Sequence, residues 1–124
     1  MDKDLLVSSG TALVRLLDHN GLKPRAAMWV YNSDTEAWRL WIVPDQALKD
    51  KAEFYRKLAV VISDNRDKLL GFDIGYVEYK SAEHPVVKGM GSVIRMDGLG
   101  SAHLTNNQLN GIFLPDGIVL RMAV

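Results

Sequence analysis

Residues 26–43 read AAMWVYNSDTEAWRLWIV, and the fold turns on this stretch. The runs Ala26-Ala27-Met28-Trp29-Val30-Tyr31 and Trp38-Arg39-Leu40-Trp41-Ile42-Val43 are dense in aromatic and β-branched residues, the composition that suits a pleated surface. Between them Asn32-Ser33-Asp34 supplies short polar side chains that favour a turn, so the reading is two antiparallel strands joined by a polar loop. Neither strand alternates apolar with polar as a half-solvated strand does. Met28 and Val30 alternate with Ala27, Trp29 and Tyr31, while Trp38, Leu40 and Ile42 alternate with Arg39, Trp41 and Val43. Strands of this kind need cover on both faces, from helices of the same chain or from a partner.

The flanking sequence offers three helices. From Asp4 to Asn20, Leu5, Leu6, Ala12, Leu13, Leu16 and Leu17 fall at helical spacing, with Gly10 the weak point and Asn20-Gly21 the stop. After Pro44 the period becomes helical again: Leu48, Ala52, Tyr55, Leu58, Ala59 and Ile62 form a stripe, with Asp45 the expected N-cap. Phe72 to Lys80 reads as a period-two strand. His84-Pro85 then opens a third helix carrying Val86, Val87, Met90, Val93 and Ile94, since proline suits the first helical position. Residues 97–100 read as a loop, with a short extra strand near 102–105 and a turn at Asn106-Asn107. Gly111 to Leu114, Pro115-Asp116-Gly117 and Ile118 to Met122 give the strongest hairpin signal, because Asp-Gly supports positive φ. The expectation is one α+β domain over residues 1–124 in the order α-β-β-α-β-α-β-β, three helices on a mostly antiparallel sheet of about five or six strands.

Composition narrows the function classes. A chain of 124 residues can bury about two-thirds of its unfolded surface, so it needs no staple. The absence of cysteine removes thiol catalysis, zinc ribbons and disulfides. With 15 Lys+Arg against 15 Asp+Glu, the balance speaks against a nucleic-acid-coating protein, whose affinity comes from excess cations. No secretory signal or apolar run of membrane-spanning length is visible, which leads to an expected cytoplasmic location and no membrane partner.

The common phosphate-loop, zinc-hydrolase and nucleophile-elbow motifs are missing. One arrangement carries chemistry: Pro44-Asp45 at a strand end and Glu78-Tyr79-Lys80 at the end of a later strand. It resembles the signature of the PD-(D/E)xK nuclease superfamily. The resemblance implies a small Mg²⁺- or Mn²⁺-dependent phosphodiesterase in which Asp45 and Glu78 hold the cation and Lys80 positions the attacking water. Alternation along a strand sets Glu78 and Lys80 on one face, and only a neighbouring strand end could bring Asp45 to them. In that superfamily the two halves of the motif usually share one hairpin, whereas here a predicted helix separates them. Asp45 also has an alternative use as a helix cap, and Glu78 with Lys80 as a solvent-facing strand end.

His19, His84 and His103 are isolated in sequence and read as surface or capping residues. Trp29, Tyr31, Trp38 and Trp41 crowd one hairpin and serve either as core or as interface candidates. The favoured reading from sequence is a non-enzymatic interaction domain without a cofactor, a homodimer or an accessory subunit of a larger assembly. The alternative is the metal-dependent phosphodiesterase; nothing in the sequence names a small-molecule ligand.

Overall fold

A computed structural model describes residues 2–48, 50–105, 107–109 and 112–124. The elements in chain order are α1 (Lys3–His19), β1 (Ala26–Asn32), β2 (Ala37–Val43), α2 (Lys51–Asp64), β3 (Val77–Tyr79), α3 (Pro85–Val93), β4 (Ala102–Leu104), β5 (Asn107–Leu109), β6 (Ile112–Leu114) and β7 (Gly117–Met122). Five strands form one sheet in the order β3-β2-β1-β7-β4, antiparallel except for the parallel pair β2/β3. The expected α+β architecture with three helices is thus the observed one.

The two-sided apolar hairpin is covered from within. On one face α1 and α2 bring Leu6, Leu13, Leu17, Phe54, Leu58 and Ile62 against Ala27, Trp29, Leu40, Ile42, Ile118 and Leu120. On the other, α3 brings Val87 and Met90 against Ala26, Met28, Val30, Val119 and Met122. The strand β7 serves both faces through a bulge: Ala27 pairs with Arg121 but Met28 with Val119, leaving Leu120 as the extra residue. Leu120 and Arg121 therefore both reach the α1 side. Arg121, almost fully buried, donates from Nη1 and Nη2 to the two carboxylate oxygens of Asp18 at 2.9 and 2.8 Å and from Nη1 to the Pro24 carbonyl at 3.3 Å, while its Nε has no partner. This bidentate pair ties the end of α1 to the end of β7 and so fixes their register more than it adds stability.

Several local expectations are corrected. The N-cap of α2 is Asp50, whose side chain accepts from the Ala52 N–H at 3.2 Å; Asp45 instead belongs to a turn closed by the Leu48 N–H on its carbonyl. The buried stripe of α2 is Phe54, Leu58, Val61 and Ile62, leaving Ala52 and Ala59 exposed. The strand expected from 72 to 80 shrinks to Val77–Tyr79 because a single 3₁₀ turn, Ile74–Tyr76, precedes it, capped by Asp73. Its outer edge is closed by α2: the Tyr55 hydroxyl accepts from the Tyr79 N–H at 2.9 Å and donates to the Val77 carbonyl at 3.4 Å.

The expected C-terminal hairpin does not form. β6 pairs with β5 in a separate ribbon, and both edges of β7 are taken by β1 and β4. Gly117 is not a positive-φ glycine, unlike Gly21 and Gly71. It is needed for close approach, since a Cβ there would stand 3.0 Å from the Trp29 carbonyl oxygen. Asn106 and Gly111, which also entered the sequence reading, lie outside the described residues.

Candidate functional site

Of the acidic-lysine signature, Glu78 and Lys80 meet beside the parallel pair. Glu78 lies in β3, in register with Trp41 of β2, and so shares the α3 face with Trp41 and Arg39. The expected alternation brings Lys80 to the same face, with its Nζ 3.3 Å from Glu78 Oε2. Arg39 Nε stands 3.3 Å from Glu78 Oε1, and Arg39 Nη1 donates to the Gly75 carbonyl. Lys80 Nζ lies 4.5 Å from the centroid of the Trp41 ring, whose other neighbour is His84 at 5.2 Å with the rings at 71°. Ion pairs this exposed contribute about 0–1 kcal/mol each, so they order the side chains more than they hold the fold.

α3 covers the β1/β7 part of this face together with Val43 of β2, and leaves Arg39 exposed and Trp41 and Glu78 half-buried. A shallow cavity of about 330 Å³ remains there, lined by Tyr31, Asn32, Arg39, Trp41, Glu78 and Lys80 among others. His84 caps α3 at its border: Nδ1 accepts from the Val86 N–H at 3.2 Å. Partial burial, and secondarily the charge of Lys80, hold its pKa below the ordinary histidine value.

Asp45 opens elsewhere. It lines a second cavity of about 310 Å³ with Arg25, Gln46, Tyr79, Lys80 and Glu83, and Lys80 is the side chain common to both. Glu83 in this second cavity is engaged by Lys88 at 2.6 Å, whose hydrogen bond and charge hold the Glu83 carboxyl below the usual range. Asp45 and Glu78 therefore do not line one cavity, and the Glu78 carboxylate is already neutralised by two cations. Among the described residues no group of three or more His, Asp or Glu is placed to hold a metal ion.

The aromatic candidates separate. Trp29 takes the core position of the two the sequence left open: it is fully buried, with Nε1 donating to the Leu6 carbonyl at 2.6 Å. Tyr31 and Trp38 are half-buried partners across the hairpin, their rings 5.3 Å apart. Trp41 is half-buried on the α3 face. His19 and His103 are exposed, and His84 is the cap just described. Arg25 escaped the sequence reading because nothing local marks it; the antiparallel pairing of β1 with β2 carries it to the end of β2, where its N–H donates to the Val43 carbonyl at 2.9 Å.

No family model, no curated protein and no solved structure matches the chain. Among the described residues no helix is long and apolar enough to cross a membrane.

Proposed function

We propose that the chain is a non-enzymatic interaction domain, a cytoplasmic homodimer or accessory subunit, that docks through the part of its sheet around Trp41. The observation that carries this reading is a half-buried tryptophan at the edge of the part of the sheet that α3 covers, flanked by Arg39 and Lys80. Tryptophan and arginine are among the residues most enriched where binding energy concentrates, and Arg39 stands on the same face as Trp41 and lines the same cavity. The test is sedimentation velocity at high concentration, together with partner capture from lysate, on the wild type and on Trp41→Asp. Association in the wild type that disappears in a still-folded Trp41→Asp supports the reading. A wild type that stays monomeric and recovers no partner sinks it. The phosphodiesterase alternative rests on the shared face of Glu78 and Lys80 beside the end of β2. Stoichiometric Mn²⁺ binding that vanishes in the Asp45→Ala, Glu78→Ala double variant would put that alternative first.

A further inference from the structure

The cavity that holds Asp45 sits where the chain divides. β2 and β3 are parallel neighbours, so they end on the same side of the sheet. Beyond β2 the chain leads to α2 on one face, and beyond β3 it leads to α3 on the opposite face. Adjacent parallel strands whose continuations diverge to opposite faces leave a crevice outside their carboxyl ends, the place where open sheets with parallel strands most often bind ligands. The 310 Å³ cavity is that crevice: Val43, Pro44, Asp45 and Gln46 come from the end of β2, Tyr79, Lys80, Ser81 and Ala82 from the end of β3.

Its charges are mixed and balanced, with Arg25 and Lys80 against Asp45 and Glu83. Two of these are engaged inside the protein, Lys80 by Glu78 and Glu83 by Lys88. The side chain of Asp45 has no hydrogen bond or ion pair among the described residues, and the Arg25 guanidinium acts on Glu83 through its charge. A ligand with two negative groups would meet Asp45 and Glu83, and one with only positive groups would meet Arg25 and Lys80. A molecule carrying one of each matches the lining, and the volume limits it to a small one.

We infer that this crevice binds a small zwitterion of the amino-acid class, its carboxylate facing Arg25 and its ammonium facing Asp45. This goes beyond the docking surface around Trp41, which lies in the other cavity. The test is calorimetric titration of the free proteinogenic amino acids, each beside its N-acetyl and its amide derivative, into the full chain and into Arg25→Gln and Asp45→Asn. Asp45 is exposed and Arg25 half-buried, and circular dichroism checks that each variant is folded. The expected result is saturable one-to-one binding of at least one free amino acid, with Kd below about 1 mM. Capping either charged group of that ligand, or making either substitution, should weaken binding at least about tenfold. Three outcomes overturn the inference: no amino acid binds saturably, the acetylated or amidated form binds as well as the free one, or Asp45→Asn leaves binding unchanged. Because Trp41 does not line the crevice and Arg25 and Asp45 do not line the cavity beside Trp41, loss of association in Trp41→Asp and loss of amino-acid binding in Arg25→Gln or Asp45→Asn are separable results.

Discussion

Gly10 shows how far a residue's own propensity can mislead. In the interior of a helix, glycine costs about 1 kcal/mol relative to alanine, so Gly10→Ala judged from the helix alone should stabilise the protein. The tertiary structure reverses the sign. A Cβ at Gly10 would stand 2.7 Å from both Leu120 Cδ1 and Trp29 Nε1. The missing side chain opens the slot through which the Trp29 indole reaches the Leu6 carbonyl. Overpacking there costs about 1–3 kcal/mol, and displacing the indole leaves a buried donor unpaired. We expect Gly10→Ala to lose about 1–3 kcal/mol net, read from the urea midpoint. Much of that loss should disappear in a Trp29→Phe background, where the indole N–H is gone. A stabilised Gly10→Ala would contradict this account. Helical spacing marks Gly10 as weak, but the reason for it lies on another element, and a local pattern cannot carry that.

The ends of elements were the hardest features to read, because several residues compete for each. Asp45 and Asp50 both precede the apolar stripe of α2, and choosing between them needs the turn at 45–48 that delays the helix. The opening of α3 was plainer, since Pro85 leaves little choice, and His84 is its cap. That cap makes the helix sensitive to acid. The neutral ring accepts the Val86 N–H through Nδ1; a protonated ring cannot accept there and would face both the helix N-terminus and Lys80. The folded-state pKa is lowered, so as pH falls the unfolded chain takes up the proton first. The contribution is therefore complete above about pH 6.5 and declines as pH falls below it. Urea midpoints measured from about pH 8 to about pH 5 should fall more steeply in the wild type than in His84→Asn, which keeps a capping side chain without a titration. Parallel curves would rule the cap out as the source.

For the molecule as a whole, the sheet order sets a gradient of protection. β1 is flanked by β2 and β7 and buried for most of its length, whereas β3 and β4 are three-residue edge strands. Amide hydrogen exchange should be slowest along β1 and fastest at β4, with β3 retarded where the Tyr55 hydroxyl covers its edge. Exchange at β1 as fast as at β4 would mean that the two faces do not hold the sheet as one unit. The fold class was readable because residues 26–43 are apolar on both sides, and that demand admits few architectures. The site was readable only in part. Spacing two residues apart sets Glu78 and Lys80 on one face, but Arg25 and the division of the chain beyond β2 and β3 depend on which strands become neighbours.

That central position has a consequence during synthesis. Trp29 pairs with Leu40 on one side and with Ile118 on the other, so one neighbour of β1 is made almost at once and the other only after every intervening residue. While the ribosome completes that interval, the hairpin carries an open hydrogen-bonding edge and apolar side chains whose cover is incomplete. Loop closure over such a separation is slow, and a bare strand edge is what other nascent chains pair with. Until Gly117–Met122 is made, β1 has only one of its two sheet neighbours, which is the stage at which edge pairing with another chain is easiest.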